Sequence, residues 1–365
     1  MHRFPIDDVT ALVEDVLVAA GADRGHAAVA AERIVEADVR GIPSHGVVRV
    51  PAYIRRIEAG GYNLRPAIRV ERETPATALL DGDNGLGHVI VTRAMGIAVE
   101  KARSTGVGWV SVRRSNHAGA GGIYASMALQ HDMIGVYMAV GNAPHMAPWG
   151  GLDALMSTNP LAVAIPAGQE PPIVFDMATT VASYGRVKLA ARRGESIPEG
   201  WMIDRSGAPV TDPRRSAGAL LQPMGGYKGF GLNLVIASLA GVLGGAASGS
   251  DIVDFNKDDK SPTNTGQAVL VIRPDTIRPL DEFRREMDER IRELTRSVPA
   301  PGGEGVRIPG SRLPKRRADA VAHGVEIAAD VVDELVSLAA RLGADRTPLN
   351  AQTATAGIDM DGRER

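Results

Sequence analysis

The chain has 365 residues, 44% of them hydrophobic, so it is long enough to bury a large core in one or two domains. Its 41 lysine and arginine residues nearly balance 43 acidic residues, and the formal net charge of −2 argues against nucleic acid or an anionic membrane as the main partner. The sequence contains no cysteine, which excludes disulfides, thiolate zinc sites and cysteine nucleophiles. We find no signal-peptide pattern and no uninterrupted apolar run of transmembrane length, and we therefore expect a cytoplasmic protein.

The N-terminal part of the chain is predicted to be helical. Apolar residues recur at spacings of three and four, and Gly21 and Gly41 stand where the first two helices should end. Pro51 is expected to interrupt the third helix. The predicted helices cover residues 6–20, 25–39 and 47–58.

Further along the chain, short apolar runs alternate with helical segments, which favours a mostly parallel or mixed sheet covered by helices. The predicted strands cover residues 67–71, 77–81, 108–112, 133–140, 161–165, 173–175 and 268–272. The predicted helices cover residues 88–104, 123–130, 281–297 and 331–342. The apolar stretch 225–245 is about long enough to span a bilayer, but its many glycines favour a buried central helix, and 248–265 is predicted to be a surface loop.

We divide the chain into three parts on this basis. They are a helical N-terminal segment over 1–65, an α/β core for cofactor and substrate over 66–345, and a polar, frayed tail over 346–365.

Two stretches place a histidine directly after a small polar residue, with a glycine and an arginine nearby. The first contains Ser44, His45 and Arg49, and the second contains His117. Histidine exchanges protons near neutral pH, and arginine binds carboxylates with a two-pronged fork. Each histidine alone is more often an ordinary loop residue. Together, the two stretches predict an enzyme that moves a proton on a small carboxylate.

Ser44 next to His45 also raises the possibility of a hydrolase. Adjacent residues of an extended chain point in opposite directions, so activation of Ser44 by His45 would be awkward. The sequence contains no G-x-S-x-G nucleophile elbow either. Both observations disfavour hydrolysis.

A strand, a glycine loop and a helix follow one another around Gly119, Gly121 and Gly122, as in a dinucleotide-binding fingerprint. The glycine spacing differs from G-x-G-x-x-G and no acidic residue follows about twenty positions later, which argues against a Rossmann fold. An anion-binding loop at a helix N-terminus stays open. Asp176 fits either the N-cap of the next helix or a cofactor contact, and Lys228, among glycines, fits an anion clamp. The histidines are scattered, so no metal site is predicted.

Taken together, the motifs closely resemble the malate/L-lactate dehydrogenase family, which lacks the Rossmann fold. That family also includes ureidoglycolate and sulfolactate dehydrogenases, diketogulonate reductases and cyclic imine (piperideine- and pyrroline-2-carboxylate) reductases. The matching segments are Ala37-Asp38-Val39-Arg40-Gly41-Ile42-Pro43-Ser44-His45-Gly46, Ser115-Asn116-His117, Ala147-Pro148-Trp149-Gly150-Gly151, Thr158-Asn159-Pro160, Phe175-Asp176-Met177-Ala178-Thr179, Ile197-Pro198-Glu199-Gly200-Trp201 and Pro223-Met224-Gly225-Gly226-Tyr227-Lys228-Gly229.

The resemblance implies an α/β, mixed-sheet NAD(P)-binding fold and a homodimer with its active site at the interface. It implies that His45 donates a proton with help from Ser44, and that His117 shares the site. Arg49 would bind the substrate carboxylate, in a pocket also lined by Tyr53 and Thr158. The residues implied to hold NAD or NADP are Ala118, Gly119, Ala120, Gly121, Gly122, Asp176, Met177, Ala178, Lys228, Gly229, Arg307, Pro309 and Gly310.

The resulting hypothesis is hydride transfer between nicotinamide and a small 2-oxo or 2-hydroxy acid, with a proton donor whose pKa lies near 7. The alternatives within the family are a cyclic imine reductase and a ureidoglycolate dehydrogenase. An alternative from another class is a metabolite-binding protein without turnover.

Overall fold

The computed structural model describes residues 2–345, so the tail predicted over 346–365 lies outside the described residues. The helices are α1 (Ile6–Ala19), α2 (Arg24–Val39), α3 (Val50–Glu58), α4 (Gly87–Thr105), α5 (Gly121–Ala125), α6 (Tyr184–Arg193), α7 (Tyr227–Ala240), α8 (Leu280–Thr295), α9 (Leu313–His323) and α10 (Ala329–Leu342). The strands are β1 (His2–Phe4), β2 (Arg69–Glu73), β3 (Thr77–Asp81), β4 (Val107–Ser115), β5 (Ile134–Ala139), β6 (Leu161–Ile165), β7 (Ile173–Met177), β8 (Met202–Ile203), β9 (Leu220–Leu221), β10 (Thr265–Ile272) and β11 (Val325–Ile327).

The central sheet has seven strands in the order β2-β3-β4-β10-β5-β6-β7. Only β3 and β4 run parallel, and α4 is the crossover that such a pair needs. Every other neighbouring pair in this sheet is antiparallel. β10 arrives from the second half of the chain and pairs in this way with both β4 and β5. The predicted mixed sheet is confirmed, and the mostly parallel alternative is wrong.

The main hydrophobic core lies between this sheet and the N-terminal helices. α4 covers the sheet, and α1 and α2 pack together on its outer side. The contact between α4 and β4 is so close that a Cβ atom at Gly108 would lie 2.0 Å from the carbonyl oxygen of Ala98. β1 pairs with β11, which fastens the start of the chain to the segment between α9 and α10.

Several predicted elements differ in detail. Pro51 does not interrupt α3, because it lies in the first turn, where a missing N–H costs no helical hydrogen bond. The helix predicted over 123–130 is only the short α5, followed by a 3₁₀ segment over Ser126–His131. The sequence did not predict the short or strongly charged elements α6, α9, β1, β8, β9 and β11.

The prediction of a buried central helix over 225–245 is wrong for the single chain. α7 buries Asn233, Ile236 and Ala240, but Val235 is 52% exposed and Leu243, just beyond the helix, is 62% exposed. Tyr227–Gly244 is the one segment among the described residues whose length and composition would suffice to cross a membrane. The buried face carries Asn233, which hydrogen-bonds to neighbouring loops. Because the opposite face is apolar and exposed, α7 is a peripheral helix with an uncovered apolar face.

Candidate active site

The first histidine lies in a tight turn between two helices. After α2 ends, the chain passes through two 3₁₀ turns, Pro43–His45 and Val47–Arg49, and enters α3 directly. Ser44 Oγ and His45 Nδ1 are therefore only 3.0 Å apart. The expectation that these neighbours point in opposite directions assumed an extended chain, and it is wrong because the backbone is helical here.

Asp38, near the end of α2, holds this turn in place through its carboxylate. Its Oδ2 accepts the N–H of Val47 at 2.8 Å, and a Cβ atom at Gly46 would lie 2.1 Å from the same carboxylate. Glycine is thus needed at Gly46 so that the carboxyl group can pack against the backbone. Burial raises the pKa of Asp38 to about 7.

The second histidine follows β4. The buried Asn116 donates to the carbonyl oxygens of Asn84 and Gly85, and this holds the corner at the end of the strand. The His117 ring then lies 5.8 Å from the His45 ring, with an angle of 18° between the planes. The two histidine motifs are therefore brought together by the fold.

Tyr53, from α3, determines which nitrogen of His117 carries the proton. The Tyr53 hydroxyl lies 2.7 Å from His117 Nδ1, and the Gly119 N–H points at the same atom from 3.4 Å. Burial raises the pKa of Tyr53 above its ordinary value, so the hydroxyl keeps its proton and can donate it. Since an amide N–H can only donate, Nδ1 is the acceptor and neutral His117 carries its proton on Nε2.

Both imidazoles are neutral at pH 7. Burial, and then the positive charge of Arg49, lower the pKa of His45 to about 4. Burial, Arg49 and the neighbouring histidines hold the pKa of His117 well below its usual range. The free site thus differs from the expected donor with a pKa near 7, and it is suited to accept a proton or to donate a hydrogen bond.

Arg49 presents an open guanidinium fork. Its Nε donates to the carbonyl oxygen of Ser44 at 2.8 Å. Neither Nη atom has a hydrogen-bond partner within residues 2–345, and the side chain is only partly buried. These two nitrogens have the geometry that binds a carboxylate in the bidentate manner.

The sequence did not assign two aromatic side chains, Phe255 and His88, to the site. The ring of Phe255 lies 5.6 Å from the His117 ring and 6.0 Å from that of Tyr53, although its segment was predicted to be a surface loop. His88, at the start of α4, is 2% exposed and packs edge-on against Tyr53 at 5.3 Å. Its Nε2 has no partner in the described part of the chain. A lone histidine at the start of the helix predicted over 88–104 was the only signal for it.

The glycine loop is fastened to the edge of the sheet. Asp176 lies within β7, so the N-cap interpretation is wrong, and its Oδ2 accepts the Gly122 N–H at 2.7 Å. Burial raises the pKa of Asp176. Arg40 donates to the Gly122 carbonyl oxygen at 3.0 Å. In the glycine loop suggested for anion binding, the Gly122 N–H is therefore already bound to the Asp176 carboxylate.

Of the other predicted cofactor residues, some join this edge and some lie apart. Pro309 accepts the N–H of Val174 in β7, and Gly310 packs on the same residue, so both lie near Asp176. Met177 ends β7. Lys228 is exposed at the start of α7. The backbone of Thr158 accepts hydrogen bonds from Thr179, next to Ala178.

The surroundings of Gly119 fit a nicotinamide dinucleotide. A Cβ atom at Gly119 would lie 3.2 Å from His88 Nε2, and one at Gly122 would lie 3.1 Å from the Asp176 carboxylate, so both positions favour glycine. Gly119 is only partly buried, and its lack of a side chain leaves the backbone beside the histidines open to a ligand.

Comparison with known proteins supports the same assignment. The sequence model of the malate/L-lactate dehydrogenase family matches residues 4–336. The chain belongs to this family. It is accordingly an oxidoreductase of the dehydrogenase class that uses a nicotinamide cofactor, as the sequence motifs predicted.

Individual family members are similar over nearly their whole length. A malate dehydrogenase from Pyrococcus abyssi is 38% identical over 349 residues, which cover 93% of this chain and 95% of that protein. A ureidoglycolate dehydrogenase (NAD(+)) from Escherichia coli O157:H7 is 39% identical over 326 residues, which cover 89% and 93%. The solved structure of sulfolactate dehydrogenase from Methanocaldococcus jannaschii has a TM-score of 0.86 at 34% identity and covers 94% of this chain and 98% of that one.

Proposed function

We propose that this protein transfers hydride between NAD(P) and a small 2-hydroxy or 2-oxo acid of the malate or lactate type. The observation that carries the proposal is the open fork of Arg49 beside the paired rings of His45 and His117. A carboxylate bound to that fork would place the adjacent C–O group against the histidines. When bound, the nicotinamide supplies or accepts the hydride.

The two histidines have different tasks in this proposal. His117 is fixed with its proton on Nε2 and serves as a hydrogen-bond donor to the reacting oxygen. His45 has the Ser44 hydroxyl as its partner, and a hydroxyl can donate or accept. Ser44 can therefore follow His45 as that ring gains and loses a proton, which makes His45 the proton-transfer group.

The proton-transfer role agrees with the low pKa of His45. In the direction of alcohol oxidation, the neutral ring accepts the hydroxyl proton, a contribution of about 10²–10⁴ in rate. Binding of an anionic substrate would offset the charge of Arg49 and raise the pKa of His45 above its value in the free site.

A substrate panel tests the proposed reaction. Purified protein would be mixed with NAD⁺ or NADP⁺ and malate, lactate, sulfolactate or ureidoglycolate, and in the reverse direction with the oxo acids and cyclic imine carboxylates. We expect a change in nicotinamide absorbance with one or more hydroxy acids. Turnover of cyclic imines alone would assign the protein to the imine reductases, and cofactor binding without any turnover would exclude an enzyme.

Matched asparagine variants test the division of labour. His45→Asn should lower kcat by about 10²–10⁴ and remove the acidic limb of the pH profile, because asparagine cannot accept the proton. His117→Asn should lower kcat but keep that limb. The reverse pattern would assign proton transfer to His117.

We also propose that the protein is a homodimer through the apolar face of α7. This face exposes Leu234 and Val235 and continues into Val242 and Leu243, so a second copy is an apolar partner of matching extent. Sedimentation velocity should show a species of twice the 38.4 kDa chain mass.

A further inference from the structure

A basic pocket lies at the N-terminal end of α9, next to the stretch of chain that leads from α2 to His45. Between Gly305 and Ala318 the chain carries five lysine or arginine residues and no acidic residue. Arg307, Arg312 and Arg316 line a pocket of about 190 Å³ together with Ser311. No acidic side chain is among its lining residues.

The charge in this pocket is largely uncompensated. Within residues 2–345, the Arg312 guanidinium has neither a hydrogen bond nor an ion pair. Arg316 donates only to backbone, to the carbonyl oxygens of Arg40 at 2.6 Å and Gly41 at 3.3 Å. Arg307 pairs with the exposed Glu304. Clustered cations repel one another, so this arrangement favours the binding of an anion.

The position of the pocket links it to the dinucleotide side of the site. Gly310 packs so closely on β7 that a Cβ atom there would lie 2.7 Å from the backbone nitrogen of Val174. Asp176 is two residues further along the same strand, roughly 7 Å away. On the other side, Arg316 lies against Gly41, four residues before His45.

We propose that this pocket binds the 2′-phosphate of the cofactor, so that the enzyme prefers the phosphorylated dinucleotide, NADP(H), over NAD(H). A phosphomonoester carries nearly two negative charges and three strong acceptor oxygens at pH 7, which match several arginine forks. The substrate carboxylate has its own partner in Arg49. The pyrophosphate carries one negative charge on each of its two phosphates and occurs in both cofactors, so its binding would not distinguish NADP(H) from NAD(H).

This inference rests on the proposed function, but its first test needs no turnover. Calorimetric titration of the whole protein with adenosine 2′-monophosphate and adenosine 5′-monophosphate compares two isomers with the same base and sugar. We expect the 2′-isomer to bind more tightly. Arg312→Ala should weaken it by roughly ten- to a hundredfold, the usual effect of a charge-assisted contact, and leave the 5′-isomer unchanged.

Arg317→Ala is the matched control. Arg317 lies on the same helix but pairs with Glu36 at 2.7 Å and does not line the pocket, so this variant should bind both isomers as the unaltered protein does. Equal affinity of the unaltered protein for the two isomers would overturn the inference. So would an Arg312→Ala variant that binds the 2′-isomer at full strength.

Kinetics then separate this inference from the proposed reaction. The ratio of kcat/KM for NADPH to that for NADH should fall about ten- to a hundredfold in Arg312→Ala, mainly through the KM for NADPH. Turnover with an unchanged ratio would overturn the phosphate site and retain the dehydrogenase. Selective binding of the 2′-isomer without turnover of any acid would retain the phosphate site and overturn the proposed reaction.

Discussion

His88 provides a quantitative test of how the site is buried. Burial first, and then the charges of Arg33 and His45, lower its pKa from 6.5 to about 3. The folded protein therefore keeps His88 neutral where the unfolded chain binds a proton. The contribution of neutral His88 to the unfolding free energy is fully present above about pH 6.5. It is lost as the pH decreases towards 3, where the folded form also takes up the proton.

The size of the effect follows from the shift. Each pH unit inside this window is worth about 1.4 kcal/mol, so at pH 5, about 1.5 units below the unfolded value, His88 costs about 2 kcal/mol of stability. Phenylalanine keeps a ring against Tyr53 and cannot be protonated, and no hydrogen bond from Nε2 is lost. His88→Phe should cost less than about 1.5 kcal/mol at pH 7.

The assay is urea unfolding at pH 7 and pH 5 at a fixed protein concentration. Between these values the variant should lose about 2 kcal/mol less unfolding free energy than the unaltered protein. His131→Gln, at an exposed position, is the control and should follow the unaltered protein. Parallel pH dependence in the His88→Phe and unaltered proteins would refute the burial argument.

Three further predictions concern substrate binding, packing and assembly. Arg49→Ala should raise the KM for the acid by about tenfold or more with little change in the KM for the cofactor, whereas Arg55→Ala, at an exposed position of the following helix α3, should not. An unchanged KM would remove Arg49 from the pocket. Gly108→Ala should destabilise the protein by about 1–3 kcal/mol or more, because its Cβ would lie 2.0 Å from a backbone oxygen of α4, while Gly96→Ala, with open space around it, should be neutral or stabilising in thermal unfolding. Val235→Asp should shift the protein to a monomer in sedimentation velocity, and an unchanged mass would show that α7 is not the interface.

The sequence determined the local structure where a long apolar period was present. α1, α2 and α4 begin and end within about one residue of their predicted bounds, because periodicity and terminal glycines are local signals. The motifs around His45 and His117 also identified the family from the sequence alone. Short or charged elements such as α6 and α9 carry no such signal and were missed.

Tertiary structure alone decided how the site is assembled. The sequence did not indicate that β10 inserts between β4 and β5 and pairs antiparallel with both, because pairing across distant segments leaves no local trace in the sequence. The same holds for Phe255 against His117 and for the exposed face of α7.

The protonation of the site is the clearest case. The sequence indicated two histidines and an arginine in one site. Only the folded chain places the Tyr53 hydroxyl and the Gly119 N–H against Nδ1 of His117, and the Ser44 hydroxyl beside Nδ1 of His45. Burial and the Arg49 charge then hold both rings neutral. Residue identity determined which groups can exchange protons, while desolvation and hydrogen-bond geometry, which exist only in the fold, determined where those protons reside.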